Sequence, residues 1–353
     1  MADRLKTYRA KRDAERTPEP VPKGRGRRRS SGDSFVIQQH HARRLHWDFR
    51  LERDGVLVSW AIPKGMPRDP ERNHLAVHTE DHPMEYATFA GQIPEGEYGA
   101  GKVTIYDKGT YTTEKWLDDE VMVVLDGERT SGRYVLFHTR GDDWMIHRMD
   151  PPDPGWEPMP EGLRPMLATR GSLPTGTGWG YEMRWDGVRA LGAVAGGRLV
   201  LTGEDGEEIT ASFPELRVLA EALAPTECLL DGEIVAFSDG QLDPDLLKRR
   251  SAETDSARAR RLADRLPVTY LGYDLLYLDG VSTVELTYSE RREQLEALGI
   301  DGDRWQVPPY FSGKGSAARK TSRDQGLPGV VAKRLKSTYQ PGKRTKDWLN
   351  IAN

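Results

Sequence analysis

The chain has 353 residues, about twice the usual size of one domain, so we expect two domains. Hydrophobic residues make up 37% and charged residues 30%, the formal net charge is -4, and no apolar run reaches the roughly 18 residues that span a bilayer, which excludes a membrane-spanning protein. The N-terminus has no apolar stretch and the chain has one cysteine, Cys228, so the sequence predicts a cytoplasmic protein without membrane contact, disulfides or a thiolate zinc site.

The charge is unevenly distributed, and residues 1–30 form a basic N-terminal segment. They carry 11 Lys and Arg against 4 Asp and Glu, a net charge of +7. The densest run, KGRGRRR at residues 23–29, has enough charge to neutralise several phosphates. Contact with nucleic acid, and so association with the nucleoid, is one interpretation; a solvated, disordered tail is the alternative.

Residues 31–150 are predicted to form a mainly-β domain, a small barrel. The candidate strands are short, rich in β-branched or aromatic residues, and separated by Gly, Asp or Pro. They are Phe35–Gln38, Trp47–Leu51, Val56–Ile62, Lys102–Tyr106, Val121–Leu125 and Arg133–Thr139. Between them, the glycine-rich run from Gly91 to Gly101 is most simply a hairpin turn.

A proline-rich linker is predicted at residues 151–163, within a stretch where six prolines in fifteen residues forbid a helix interior or a central strand. Residues 164–353 then alternate strand-like and helix-like runs, which predicts an α+β domain. The strand-like runs are Leu199–Thr202, Cys228–Phe237 and Val268–Leu278, and the helix-like runs are Phe213–Leu223, Leu242–Arg250 and Ser289–Leu298.

The first domain contains a candidate metal site. Because alternate residues of a strand share a face, His46, Asp48 and Arg50 are expected to project together, with His40 beside Gln38 as a source of a third ligand. Imidazole and carboxylate ligands suit manganese, zinc or iron better than calcium. An exposed polar strand face without metal is the alternative interpretation.

Several runs in order along residues 5–150 resemble the 3′-phosphoesterase domain of bacterial DNA ligase D, the multifunctional enzyme of non-homologous end joining. The runs are TYRAKRDAERTPEP, FVIQQHHARRLHWDFRLE, SWAIPKG, EDHPMEY and GQIPEGEYGAGKVTIYDKGTY. The resemblance implies a compact barrel that binds Mn²⁺, or a similar divalent metal, and removes 3′-phosphates and 3′-terminal ribonucleotides from DNA.

The same resemblance implies roles residue by residue. The implied metal ligands are His40, His46 and Asp48, while Arg50 and Lys64 would hold the phosphate. His82 would act near the scissile phosphate, as a protonated acid or a transition-state stabiliser. Gln38, Glu80 and Tyr86 would line the site, and Arg12, Asp13 and Glu19 match a segment that folds back toward it. His74 stands where some members have an arginine, which affects one phosphate contact.

The second domain resembles the adenylation domain of ATP-dependent DNA ligases, a nucleotidyltransferase fold. Residues 184–189 match the nucleotide-attachment motif Lys-x-Asp-Gly-x-Arg except at the first position, which is Arg184. Further matching runs are LDGE at 230–233, LGYDLLYLDG at 271–280, GVVAKR at 329–334 and DWL at 347–349. The positions implied to hold ATP or AMP are Glu182, Arg184, Arg189, Glu233, Tyr273 and Lys333.

Loss of ligation is predicted from Arg184. A deprotonated lysine amine can attack the α-phosphate of ATP, whereas a guanidinium stays protonated and its nitrogen lone pairs are delocalised. Glu204, Pro328, Asn350 and Ala352 also depart from the family pattern. The chain ends at Asn353, so we expect no OB-fold after this domain.

The predicted function is metal-dependent DNA 3′-end processing in double-strand-break repair, by a phosphoesterase joined to a ligase-like domain without its nucleophilic lysine. The alternatives are a working ATP-dependent DNA ligase and a non-catalytic scaffold that binds DNA ends. The expected partners are DNA 3′ ends, together with end-joining proteins such as Ku or a separate ligase or polymerase.

Overall fold

The structure is a computed structural model that describes residues 3–22 and 32–353. The run at residues 23–29, for which contact with nucleic acid was one interpretation, lies outside the described residues. The chain divides into two compact units, Met1–Pro154 and Gly155–Asn353. The division falls within residues 151–163, the segment predicted as a linker.

Unit 1 consists almost entirely of strands. Its one α-helix is α1 (Lys6–Ala10), and a 3₁₀ helix spans Met84–Thr88, both counted within the described residues. The strands are β1 (Ser34–His41), β2 (Leu45–Arg53), β3 (Val56–Ile62), β4 (His74–His78), β5 (His82–Pro83), β6 (Gly91–Ile93), β7 (Gly101–Trp116), β8 (Glu120–Gly127), β9 (Ser131–Arg140) and β10 (Asp143–Arg148).

The predicted barrel is confirmed. The strands follow the order β1-β2-β3-β4-β10-β9-β8-β7-β6, and β1 also pairs with β7, which closes the sheet on itself. Closure leaves no free edge among the strands of the ring. The glycine-rich run connects β6 to β7, which pair antiparallel, so the expected hairpin is present as well.

The turn between β2 and β3 sets the register of the strand that carries the candidate metal ligands. Asp54 and Gly55, with φ of 53° and 81°, are the two residues of this hairpin loop. Two successive positive φ values are typical of the type I′ turn, whose twist matches that of paired strands. Arg53 consequently pairs with Val56, and the antiparallel register continues to Trp47 opposite Ile62.

Strand β2 places apolar side chains on one face and polar side chains on the other. Trp47, Phe49 and Leu51 are buried in the barrel core, where Phe49 contacts the ring of Trp60 at a centroid distance of 6.3 Å. The alternate residues His46, Asp48 and Arg50 therefore project from the opposite face.

The first part of the basic N-terminal segment belongs to unit 1. Tyr8 is fully buried and its hydroxyl donates a hydrogen bond of 3.0 Å to the carbonyl of Pro20. It packs with Leu57 of β3 and with Tyr86 in one apolar cluster. Residues of the predicted basic N-terminal segment therefore pack against the barrel.

Unit 2 has the predicted mixture of helices and strands. Its strands are β11 (Leu167–Arg170), β12 (Trp179–Arg184), β13 (Val188–Ala195), β14 (Arg198–Gly203), β15 (Cys228–Ser238), β16 (Gln241–Leu242), β17 (Val268–Leu278), β18 (Val281–Ser282), β19 (Asp301–Gly302), β20 (Trp305–Gln306), β21 (Phe311–Ser312), β22 (Gly329–Arg334) and β23 (Arg344–Ala352). The helices are α2 (Val218–Leu223), α3 (Pro244–Ser251), α4 (Ser256–Arg265), α5 (Tyr288–Ala297) and α6 (Gly315–Asp324), with short 3₁₀ helices at Thr210–Ser212 and Pro214–Arg217.

Two sheets organise unit 2. One follows the order β11-β23-β22-β12-β21, and the other follows β14-β13-β15-β17-β20-β19, with β16 and β18 paired to β15 and β17. This confirms the predicted α+β class. None of the helices in residues 3–22 and 32–353 combines the length and the apolar composition needed to cross a lipid bilayer.

A buried ion pair attaches helix α5 to strand β17. Arg291 donates two hydrogen bonds, of 2.7 and 2.9 Å, to the carboxylate of Asp274, and both side chains are fully buried. Arg291 also donates to the carbonyl of Leu286 at 2.6 Å. Since an unpaired buried carboxylate is costly, the fold depends on both partners.

We expect Arg291→Ala to lower the free energy of unfolding of unit 2 by about 3–5 kcal/mol, because it leaves the buried Asp274 carboxylate without its partner. Lys320→Ala is the matched control, since Lys320 and Asp324 form an ion pair with side chains that are 77% and 60% exposed. Its effect should stay below about 1 kcal/mol. Urea denaturation followed by tryptophan fluorescence measures both; equal shifts for the two variants would contradict the prediction.

Candidate active site

The pairing of β1 with β2 brings together the polar residues predicted to share a face. Gln38 lies opposite Asp48, and His40 lies opposite His46. Arg50 follows two residues after Asp48 on the same face. The predicted alternation therefore assembles five polar side chains on two adjacent strands.

His40, His46 and Asp48 form a compact group whose atoms could bind a metal ion. One nitrogen of each imidazole and a carboxylate oxygen lie within 4.8 Å of one another, which no other group of three such side chains does in residues 3–22 and 32–353. Nδ1 of His40 and Nε2 of His46 each lie 3.6 Å from a carboxylate oxygen of Asp48. The donor set suits a divalent transition metal.

Backbone carbonyls orient both imidazoles. Nε2 of His40 donates to the carbonyl of Gly99 at 2.9 Å, and Nδ1 of His46 donates to the carbonyl of Arg44 at 3.0 Å. A carbonyl can only accept, so these nitrogens carry the protons. In a neutral ring the other nitrogen then presents its lone pair toward Asp48. In metal sites, a hydrogen bond from one ring nitrogen to a carbonyl commonly leaves the other nitrogen free to bind the metal. The two histidines are held in this way, so the residues fit a metal.

Arg50 sits beside the carboxylate and offers an unused donor. Its Nη2 donates to Asp48 at 3.0 Å and its Nε to the side-chain oxygen of Gln38 at 2.7 Å. Burial raises the pKa of Asp48, but the charge of Arg50 opposes this effect, and the pKa stays below its usual range. The buried Nη1 of Arg50 has no hydrogen-bond partner among the described residues.

Gln38 and Tyr86 hold Arg50 in place from the other side. The side-chain nitrogen of Gln38 donates to the carbonyls of Tyr86 and Phe89 at 3.0 and 2.9 Å, which turns its oxygen toward Arg50. The Arg50 guanidinium lies 4.9 Å from the centre of the Tyr86 ring. Two of the three residues predicted to line the site, Gln38 and Tyr86, therefore contact its central arginine.

His82 is buried between aromatic rings and cations. Its Nδ1 donates to the carbonyl of Glu80 at 2.8 Å, and its Nε2 lies 3.4 Å from Nη2 of Arg12. Burial, followed by the charges of Arg50 and Arg12, lowers the pKa of His82 well below its usual value. In this structure the neutral form of His82 is therefore favoured and Nε2 is an acceptor, so the role of His82 as an acid stays a prediction.

Arg12 connects the N-terminal segment to the site. It donates to Glu19 at 2.8 Å and to Glu80 at 3.0 Å, and the side chains of all three are at most 5% exposed. Glu19 also accepts a 3.0 Å hydrogen bond from the hydroxyl of Tyr86. The predicted approach of this segment to the site is therefore present among the described residues.

Two predicted site residues are exposed, unlike the buried members of this cluster. The carboxylate of the exposed Asp13 accepts from the backbone nitrogen of Glu15 at 3.0 Å, so it stabilises a turn. Lys64 is exposed at the turn that follows β3. His74, the departure from the family arginine, donates from Nδ1 to the carbonyl of Gly65 at 2.7 Å.

Residues that the sequence reasoning missed also lie here. Tyr8 contacts the His82 ring edge-on at a centroid distance of 5.0 Å. Lys11 donates to Glu80 at 2.9 Å and to the hydroxyl of Tyr98 at 3.1 Å. Tyr8 and Lys11 lie in a run that resembles the family, but the local sequence pattern does not indicate which residues they contact.

In unit 2, a buried network joins several of the predicted nucleotide-binding residues. Nζ of Lys333 lies 2.7 Å from Glu182, which also accepts a 2.7 Å hydrogen bond from the hydroxyl of Tyr288. Lys333 lies 4.1 Å from the centre of the Trp348 ring. Burial lowers the pKa of Lys333 even though Glu182 opposes the shift.

A second carboxylate lies near the attachment motif. Glu233 accepts hydrogen bonds from the backbone nitrogen of Gly187 and, at 2.6 Å, from the hydroxyl of Tyr273. Burial raises the pKa of Glu233. Arg189 donates two hydrogen bonds, of 2.8 and 2.6 Å, to the fully buried Asp231. The matching motifs thus converge in three dimensions.

Arg184 occupies the position of the family lysine and is paired within its own motif. It donates to both carboxylate oxygens of Asp186, at 2.5 and 2.9 Å, and its side chain is 29% exposed. The guanidinium is thus held as a cation rather than as a nucleophile.

Comparison with known families decides the identity of both units. Residues 38–138 match the model described as DNA Ligase D 3′-phosphoesterase domain, and residues 165–351 match the ATP dependent DNA ligase domain. The chain belongs to the DNA ligase D family. Unit 1 is hereafter the phosphoesterase domain and unit 2 the ligase domain.

Relatives in this family match nearly the whole chain. A protein of Mycobacterium bovis named multifunctional non-homologous end joining protein LigD is 46% identical, over 99% of this chain and 45% of its own length. A LigD of Pseudomonas aeruginosa is 33% identical, over 98% of this chain and 47% of its own length. The chain therefore spans a little less than half of these LigD relatives.

A solved structure described as mycobacterial DNA ligase D complexed with ATP and MES is 35% identical to the chain. It covers 54% of this chain and 60% of its own, with a TM-score of 0.47. The comparisons do not support the expectation that no OB-fold follows the ligase domain.

We expect His46→Ala to weaken Mn²⁺ binding by more than about 100-fold. Loss of a residue that only orients a metal ligand costs roughly 10- to 100-fold, and His46 is itself one of the three candidate ligands. Isothermal titration with Mn²⁺ measures the affinity. His138→Ala is the matched control, since this exposed histidine of the same domain contacts the carbonyl of Gly141 and lies outside the metal-binding group. Unchanged affinity in His46→Ala, or an equal loss in both variants, would contradict this assignment.

Proposed function

We propose that the chain hydrolyses phosphate esters at DNA 3′ ends, removing a 3′-phosphate or a 3′-terminal ribonucleoside, with Mn²⁺ or a similar divalent cation. Membership of the DNA ligase D family supports this proposal, as does the name of its relatives, which refers to non-homologous end joining. The proposed setting is double-strand-break repair, and the proposed partner is a DNA 3′ end.

The observation that carries the proposal is the buried, unpartnered Nη1 of Arg50. Two of its other nitrogens are already engaged by Asp48 and Gln38, which fixes the guanidinium plane. A phosphate oxygen is the natural partner for such a donor, because charge-assisted bonds from arginine to phosphate are strong and directional. An anionic substrate that reached this buried nitrogen would satisfy the donor.

His40, His46 and Asp48 would hold the metal. When bound, the cation would stabilise the negative charge that develops on a phosphate oxygen. Arg50 would bind a second oxygen of the same phosphate group from its fixed position. Together these residues would favour a more negatively charged transition state over the ground state.

His82 would face the phosphate in its neutral form at first. An approaching dianion favours the charged form of a nearby imidazole, so the substrate itself would promote protonation at Nε2. The proton could then pass to the leaving oxygen, while one water supplies the oxygen added to phosphorus. Arg12, held by Glu19 and Glu80 with Nη2 3.4 Å from Nε2, would keep the ring neutral until the phosphate binds.

Phosphate binding by Lys64 and a catalytic role for Asp13 remain predictions. Lys64 is exposed and Asp13 supports a turn, so each would need a substrate contact of its own.

Arg50→Ala is expected to reduce release of phosphate from a 3′-phosphorylated primer–template by at least about 100-fold, since one preorganised donor to a developing charge is typically worth that much. Arg50→Lys retains the charge without the planar fork and should also be strongly impaired, while staying folded by circular dichroism. Arg140→Ala, whose side chain is 88% exposed in the same domain, is the control. Labelled products are resolved on a gel with and without Mn²⁺.

Two results would overturn this proposal. Full activity of both Arg50 variants would exclude Arg50 as the phosphate ligand. A wild-type protein that binds the primer–template but removes neither a 3′-phosphate nor a 3′-terminal ribonucleoside would favour the DNA-end-binding scaffold instead.

For the ligase domain we propose non-covalent binding of ATP or AMP without self-adenylation. The residue types expected to hold the nucleotide are retained at five positions, and their contacts form the buried network described above. The five are Glu182, Arg189, Glu233, Tyr273 and Lys333. Arg184 differs, because its nitrogen lone pairs are delocalised and it is paired with Asp186. Because relatives carry the name ligase, joining of DNA is the competing function.

Incubation with α-labelled ATP and Mg²⁺ should leave the wild-type protein without covalent label. Arg184→Lys restores an amine that can be deprotonated, so we expect label to appear in this variant. Denaturing gel electrophoresis detects the adduct, and isothermal titration separately measures nucleotide binding. Covalent label on the wild-type protein would establish the competing ligase function.

A further inference from the structure

Three successive residues of the glycine-rich loop between β6 and β7 contact the N-terminal segment or the candidate site. Glu97 pairs with Arg16 at 2.9 Å, Tyr98 accepts a 3.1 Å hydrogen bond from Lys11, and the carbonyl of Gly99 accepts from His40 at 2.9 Å. The proposed chemistry uses neither the Glu97 nor the Tyr98 side chain. The loop is nevertheless held to the N-terminal segment and to a metal-binding histidine.

Tyr98 is the exposed aromatic residue of this loop. Its surface is 49% accessible, whereas Tyr8 and Tyr86, which also border the site, are 0% and 2% accessible. Core packing therefore does not account for the Tyr98 ring. A large ring held at a defined place with half its surface free is suited to contact with a flat ligand.

The position of Tyr98 links the two sides of the site. The next residue, Gly99, orients His40 of the metal-binding group. The Tyr98 ring centre lies 5.3 Å from the guanidinium of Arg12, and Arg12 in turn lies 3.4 Å from Nε2 of His82. A group attached to a phosphate between His40 and His82 would thus lie within reach of the ring.

Cations border the ring on the side of the N-terminal segment. Nζ of Lys11 lies 4.5 Å from the ring centre. Nucleic-acid-binding surfaces combine such cations with aromatic platforms, because every base has a π-face that can stack. The ligand chemistry indicated is a nucleobase attached to a phosphate.

We propose that Tyr98 stacks on the base of the 3′-terminal nucleoside, the leaving group when a terminal ribonucleoside is removed. This inference rests on the proposed 3′-end hydrolysis. In that step water adds to phosphorus and the bond to the nucleoside 5′-oxygen breaks, which leaves a 3′-phosphate and a free nucleoside. A 3′-phosphate end has no nucleoside beyond the phosphate, so Tyr98 is a specificity-determining residue that distinguishes the two ends.

The test compares kcat/KM on one primer–template ending in a single ribonucleotide and on the same primer ending in a 3′-phosphate. Base stacking on an aromatic side chain is worth about 1–3 kcal/mol, so Tyr98→Ala should lower the ratio of the two values by about 5- to 150-fold. Tyr98→Phe keeps the ring and should retain the wild-type ratio. Tyr106→Ala, which removes a ring lying 5.2 Å from Arg129 on the same domain, is the control and should also retain it.

A third primer, ending in a ribose without a base, separates stacking from a structural role. On this primer Tyr98→Ala and the wild-type protein should have equal kcat/KM, since no base is left to stack. An equal loss in Tyr98→Phe and Tyr98→Ala would instead assign the effect to the hydrogen bond from Lys11 and overturn the proposal. So would an unchanged ratio in Tyr98→Ala. Absence of wild-type activity on every primer would mean that the proposed hydrolysis itself has failed.

Discussion

The phosphoesterase site depends on the buried carboxylate of Asp48. An isolated carboxylate in a protein interior costs several kcal/mol, so it must be compensated by charge and hydrogen bonds. Arg50 supplies the charge at 3.0 Å, and the imidazoles of His40 and His46 approach from the other side. The same requirement leaves one nitrogen of Arg50 unused beside three metal-binding atoms. Compensation of the buried Asp48 charge therefore also sets the position of the donor that we propose binds phosphate.

The N-terminal segment extends this arrangement beyond the barrel strands. Arg12 is nearly buried and is shared by Glu19 and Glu80, while its guanidinium also lies 3.8 Å from the centre of the Tyr8 ring. The cationic neighbours of His82 are therefore Arg12 from this segment and Arg50 from β2, and they hold the imidazole neutral together with burial. The chemistry of a residue in the barrel is set in part by a segment some 70 positions away in sequence.

In the ligase domain, the buried network of paired side chains is retained, although the residue at the position of the reactive lysine is changed. Glu182 with Lys333, Glu233 with Tyr273, and Asp231 with Arg189 remain closely paired. These contacts depend on charge complementarity and burial, to which residue 184 contributes little, because Arg184 pairs with Asp186 instead. A lysine and an arginine carry the same charge, but only the lysine can release a proton to expose a localised lone pair. The nucleotide-binding framework can therefore persist independently of attachment chemistry.

The sequence alone determined the features that depend on local backbone geometry. The alternation of His46, Asp48 and Arg50 predicted their common face, and the barrel and α+β classes were readable because strand and helix periods are local properties. The six predicted barrel strands are present, but β4 and β10, which complete the ring, were missed. Only the tertiary structure decided that Arg12 reaches His82, and that burial and two arginine charges lower the pKa of the His82 imidazole. Burial and long-range contacts arise from the packing of the whole domain, so no local pattern specifies them.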